Sequence, residues 1–183
     1  MRKLSIGAAA LLLLAAPAVL RADFVATATL SGANERPNPV PSPATGFVTI
    51  TFESALDRLL IDGTFQNLTS PLQVGHIHVG SPDVAGPVIL PFTFLPVGST
   101  SGTFSGILTA ANLTPAGGIT TFAEAVNAIE TGNAYVNLHT TMFPGGEIRG
   151  QTQVVPEPGL LTLLGLGVLG LCGYGRIRRR RAN

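Results

Sequence analysis

Hydrophobic and polar positions alternate in short runs through the middle of the chain. Val48, Ile50 and Phe52 are separated by Thr49 and Thr51, and Leu59, Ile61 and Phe65 continue the pattern after Asp57-Arg58. A period of two is that of a half-buried strand, because successive side chains of an extended backbone point to opposite faces. Phe24 to Leu30, Gly86 to Leu90 and Thr103 to Leu108 read as further strands, and turns such as Ser81-Pro82-Asp83 separate them. Asn34 to Pro43 carries four prolines and predicts a loop, since proline has no N–H to give to a sheet interior. The spacing predicts an all-β domain, an antiparallel β-sandwich with one short helix. Thr121 followed by Glu124 fits a capping box, Phe122, Val126 and Ile129 follow helical spacing, and Gly132 can end the helix in a left-handed conformation. That helix is expected to be structural, delivering the chain into a strand around Tyr135.

The two ends break the pattern. Met1-Arg2-Lys3, the apolar run Leu4 to Leu14 and the small residues up to Ala22 read as a secretory signal peptide over residues 1–22. At the other end Val155-Pro156-Glu157-Pro158 introduces an apolar run of 17 residues, Gly159 to Gly175, followed by a block of arginines. This length is at the lower limit for a membrane-spanning helix, and the positive-inside rule would keep the arginines in the cytoplasm. The domain itself is expected over residues 23–154, with a sorting segment over 155–183.

Setting the ends aside changes the charge. The whole chain has a formal net charge of +1, but eight of its 11 basic residues lie in the terminal segments. Between Asp23 and Val155 only Arg36, Arg58 and Arg149 face nine acidic residues, a net charge of −6. Such a surface repels nucleic acid and anionic lipid. The 133 central residues suit one domain with one core, and the single cysteine, Cys172, lies outside it. The domain is therefore held by packing without disulfides, and it has no thiol for catalysis or metal binding.

The polar chemistry concentrates in two runs, His76-Ile77-His78-Val79-Gly80 and Tyr135-Val136-Asn137-Leu138-His139-Thr140, the second continuing to Gly146-Glu147-Ile148-Arg149-Gly150-Gln151. All three histidines of the chain are here. Strand alternation puts His76 and His78 on one face, Tyr135, Asn137 and His139 on one face, and Glu147 with Arg149 away from Ile148. Two strands thus each offer an apolar face to a core and a histidine-bearing face away from it. Those two runs, with Leu30-Ser31-Gly32-Ala33-Asn34-Glu35-Arg36-Pro37 and Gly86-Pro87-Val88 in order, resemble the CHRD domain first described in chordin. The resemblance covers roughly Asp23 to Val154 and implies a β-rich extracellular module without an established catalytic activity. The His-x-His pair is also similar to the metal strand of copper-zinc superoxide dismutase, a β-sandwich. The bridging histidine, the second His and Asp cluster and the cysteine pair of that family are missing here. Pro156-Glu157-Pro158 with its apolar run and basic tip resembles the PEP-CTERM sorting signal of Gram-negative bacteria. This implies an exosortase-type processing enzyme as partner, transient membrane contact, and delivery to the cell surface, outer membrane or extracellular matrix.

His76, His78 and His139 could supply three nitrogen donors to copper or zinc, with Glu147 or Asn137 as a fourth ligand or as a group fixing a ring tautomer. The competing expectation is that these rings hydrogen-bond across strands to Glu147, Asn137 or Thr140 and fix register. Glu35 and Arg149 are a candidate ion pair that would staple the proline loop. No Gly-x-Ser-x-Gly elbow is present, Glu124 and Glu130 read as a solvated helix face, and no run of carboxylates has the spacing of a calcium loop. The reading that follows is an exported, non-enzymatic binding or structural protein, with no cofactor required and extracellular polysaccharide or surface proteins as partners. Its alternative is a histidine-based metal-binding or superoxide-dismutase-like protein.

Overall fold

The computed structural model describes residues 22–156. Residues 1–21 of the expected signal peptide, the expected helix 159–175, Glu157 and Pro158 lie outside the described residues. Among the described residues nine strands form one continuous sheet: β1 (Phe24–Ser31), β2 (Thr45–Glu53), β3 (Arg58–Gln66), β4 (Leu72–Val79), β5 (Val88–Pro91), β6 (Gly102–Leu108), β7 (Ala134–Thr140), β8 (Ile148–Gln151) and β9 (Gln153–Val154). Their spatial order is β5-β4-β7-β8-β1-β2-β3-β6, with β9 beside β1, and the pairings are antiparallel.

The period-two pattern decides which face is inside. Phe24, Ala26, Ala28 and Leu30 of β1, Val48, Ile50 and Phe52 of β2, and Leu59, Ile61 and Phe65 of β3 are buried in a common core. The sheet does not divide into the two separate sheets expected of a sandwich. It curls until the chain leaving β5 meets β6, and the gap is filled by rings instead of a hydrogen-bonded ladder. Phe92 lies 5.9 Å and Phe94 6.4 Å from Phe104, centroid to centroid. Glycines make room for those rings: a Cβ on Gly106 would stand 2.2 Å from Phe94, and one on Gly63 2.2 Å from Phe104. The result is a nearly closed, barrel-like fold, and alternation alone does not distinguish it from a sandwich because both bury one face of each strand.

The helix α1 (Phe122–Glu130) starts where the capping box predicts. Thr121 Oγ1 accepts from the Glu124 N–H, and the Glu124 carboxylate accepts from the N–H groups of Thr120 and Thr121. Phe122, Val126 and Ile129 join the core, and Gly132, at φ +72°, turns the chain into β7. Among the described residues no helix is long and apolar enough to cross a membrane.

Every residue of β7 is buried, on both of its faces. The polar face expected to look outward is covered by the proline loop, the 80–87 turn and the 141–147 turn, which reach Asn137, Tyr135 and His139 through the hydrogen bonds described next.

Candidate metal centre

β4 and β7 are neighbours, with His76 opposite Asn137, His78 opposite Tyr135 and Val74 opposite His139. A register shift between Leu72 and Val74 is what places the histidines. Leu72 pairs with Thr140 and is fully buried in the core. Simple alternation would carry Val74 and His76 onto the same core face, whereas the bulge adds one residue and moves everything after it to the other side. Ile77 then takes the core position, and His76 and His78 share the opposite face with Tyr135, Asn137 and His139.

The three imidazoles converge there. One ring nitrogen from each of His76, His78 and His139 lies within 4.8 Å of the others. His76 Nδ1 is 3.3 Å from His139 Nε2, close to the ~3.3 Å between two nitrogens sharing a tetrahedral zinc at 2.0–2.1 Å. Backbone carbonyls orient the other two rings. His139 Nδ1 donates to the carbonyl of Pro144 and His78 Nδ1 to that of Gly86, both at 2.9 Å. A carbonyl can only accept, so the proton sits on Nδ1 and the Nε2 lone pair of each ring faces inward. The Nε2 of His78 is buried and has no hydrogen-bond partner. Burial pushes His76 and His78 down to about 4, with the neighbouring rings adding to it, and lowers His139 as well. All three are thus neutral near pH 7, the form that binds a metal.

Gly86 is required where it stands, because a Cβ there would lie 1.7 Å from the carbonyl oxygen of Val79. Its N–H donates to the Tyr135 hydroxyl and its carbonyl accepts from that hydroxyl as well as from His78. Tyr135 in turn stacks on His78, with centroids 4.8 Å apart and planes 10° from parallel. The guanidinium carbon of Arg149 lies 3.5 Å over the Tyr135 ring.

The other expected partners are elsewhere. Glu147 is fully buried, but its carboxylate accepts from Ser42 Oγ, the Thr69 N–H and hydroxyl, and Thr140 Oγ1, at 2.6 to 3.0 Å. Burial alone would raise its pKa, yet these four bonds hold it below the usual carboxylate range. It is neither a ligand nor a tautomer-fixing group for a histidine; it ties two loops to β7. Asn137 Nδ2 donates to Glu35 Oε2 at 3.3 Å and leaves the histidines alone. The expected cross-strand bonds from histidine to Glu147, Asn137 or Thr140 are therefore replaced by bonds to backbone carbonyls and between His76 and His139.

Glu35 does not pair with Arg149 either. Arg149 donates to the carbonyls of Val84 and Ser81 and to Gln151 Oε1, while the proline loop is held by the Val40 N–H on Gly32 and by Asn34 Nδ2 on the Arg149 carbonyl. Glu35 is buried, its Oε1 is unpartnered, and burial lifts its pKa to about 7 against the opposing pull of Asn137 and Arg149.

A family model described as the CHRD domain matches residues 26–152, more than half of the chain. The chain belongs to the CHRD domain family. The site just described lies wholly inside the CHRD domain. A second model, the PEP-CTERM protein-sorting motif, matches residues 154–181, directly after it. The CHRD domain is thus carried by a bacterial chain with an exosortase-type sorting signal, which marks it for export and the cell surface. No curated protein and no solved structure matched the chain. The backbone carbonyls of Gly86 and Pro144 were outside the reach of sequence reasoning, since only chain folding brings a carbonyl to a ring; the glycines around them were the available signal.

Proposed function

We propose that this exported CHRD-domain protein binds one zinc or copper ion through His76, His78 and His139. The observation that carries the reading is the convergence of three imidazoles, two of them pinned through Nδ1 to backbone carbonyls, around the unpartnered buried Nε2 of His78. A buried polar atom without a partner costs about 1–3 kcal/mol, and a metal ion would satisfy it. Imidazole suits both zinc and copper, and three protein donors leave a coordination position for water or a partner group. The reading is one of binding; no catalytic step is assigned to the site. This reading is better supported than a purely structural role, because a His78 that only fixed register would place its buried Nε2 on a protein partner as well.

The test is metal content of the purified protein, freed of any histidine tag, beside a His76→Ala/His78→Ala variant. One zinc or copper per chain in the wild type and none in the variant is the expected result. Equal, substoichiometric metal in both after reconstitution would refute it.

A further inference from the structure

A second site lies on the same outer face, beyond Arg149. Residues of β1, β8 and β9 that point away from the core, Thr29, Gln151 and Gln153 among them, form with Arg36, Asn34 and Arg149 a cleft of about 320 Å³. Two of the three arginines between Asp23 and Val155 line it, although that segment carries a net charge of −6.

The two cations are left without strong counter-charges. Arg149 is only 2% exposed, yet among the described residues no carboxylate forms an ion pair with it; its guanidinium meets two carbonyls and an amide oxygen. The Tyr135 ring lies against it and Glu35 acts on it only at a distance, so this buried charge has no direct counter-ion, which is costly. Arg36 has one acidic partner, Asp83, at 3.5 Å, and that side chain is 88% exposed. Such a pair is weak and exchangeable. The rest of the cleft lining is hydroxyls, side-chain amides and Pro82, with no aromatic side chain among them.

We propose that this cleft binds an acidic sugar, a uronate unit of an extracellular polysaccharide, with its carboxylate at Arg36 and Arg149 and its hydroxyls on Thr29, Asn34 and Gln153. A carboxylate supplies the counter-charge the arginines lack, and planar guanidinium groups recognise carboxylates directionally. The volume is at the lower end of the range for small-ligand sites, about 300–1,000 Å³, and suits one sugar ring. A lipid tail would find Pro82 as its one apolar side chain in the lining, and nucleic acid would meet the acidic remainder of the surface. The sorting motif marks the chain for export and the cell surface, where an extracellular polysaccharide is within reach. This site is independent of the histidine centre and stands or falls separately from it.

The test is calorimetric titration of the full protein with trigalacturonate and with maltotriose, in about 0.15 M salt, where exposed charges are already screened, and with excess EDTA. Saturable trigalacturonate binding, at least about 10-fold tighter than maltotriose, is expected. Thr29→Glu, an exposed position that puts a carboxylate at the mouth of the cleft, should abolish it, and Arg36→Gln should weaken it about 10-fold. Both variants should keep the wild-type melting temperature, and the His76→Ala/His78→Ala variant should bind the uronate normally. Equal affinity for maltotriose, unchanged binding in Thr29→Glu, no binding by the wild type, or binding that disappears with EDTA would each overturn the proposal.

Discussion

Glu35→Gln isolates a carboxyl that is folded into the wrong environment for a charge. Glu35 is 3% exposed, and its Oε1 and the Oδ1 of Asn137 are both buried acceptors without a donor. Both oxygens lie within 2.8 Å of where a Cβ on Gly146 would stand, so they crowd one small space. A proton on Glu35 supplies a donor to that space. Burial accordingly raises the group from an ordinary 4.5 to about 7 in the folded protein. Because the folded pKa is the higher one, the folded state holds its proton longer than the unfolded chain does. Below pH 4.5 both states are protonated and nothing is lost; between 4.5 and 7 the unfolded chain ionises first and stability falls; above 7 the deficit is complete. A shift of that size is worth about 3 kcal/mol at 1.36 kcal/mol per unit. Gln imitates the protonated acid and cannot ionise. In urea denaturation of metal-free protein, the variant should match the wild type near pH 4.5 and exceed it by about 3 kcal/mol at pH 8. With an m-value of about 2 kcal/mol/M this is a midpoint shift of about 1.5 M. A stability difference that is the same at both pH values would refute the reasoning, since a lost or gained packing contact has no such pH dependence.

Two further substitutions test the site and the closure of the sheet. Gly86→Ala forces a Cβ against the Val79 carbonyl and displaces the carbonyl that orients His78, so zinc affinity measured against a chelating dye should fall about 10–100-fold; Gly145→Ala, in open space, should leave it unchanged. Gly106→Ala pushes the Phe94 ring away from Phe104 and should cost about 1–3 kcal/mol in thermal denaturation, with much of that loss absent in a Phe94→Ala background.

The parts of the fold that depend on local chemistry were legible. β1, β2 and β3 follow from alternation, and α1 from Thr121 and Glu124, because each signal and its structural consequence lie within a few residues. Curling of the sheet was not, because it rests on Phe92 and Phe94 meeting Phe104 across an unpaired edge. Nothing in a period of two says which distant ring will fill a gap. Alternation also misjudged β7: Tyr135, Asn137 and His139 do share a face, but three loops cover it, so a pattern read as half-exposed belongs to a strand buried on both sides.

The same rule separates the candidate residues that converge from those that lie elsewhere. It holds for His76, His78 and His139 because all three lie within regular stretches of β4 and β7, after the bulge that follows Leu72. It fails for Glu147 because β8 begins only at Ile148, and Gly146, at φ +125°, has already broken the extended backbone. Glu147 therefore does not share the face of Arg149; its carboxylate meets Thr140, on the Val136 and Leu138 side of β7. One residue outside a strand is enough to turn a candidate metal ligand into a loop tie. The histidine cluster depends in the same way on register: removal of the single extra residue near Gln73 would turn His76 and His78 toward the core and Ile77 toward the loops. The site is thus a property of the bulge and the covering turns as much as of the three histidines.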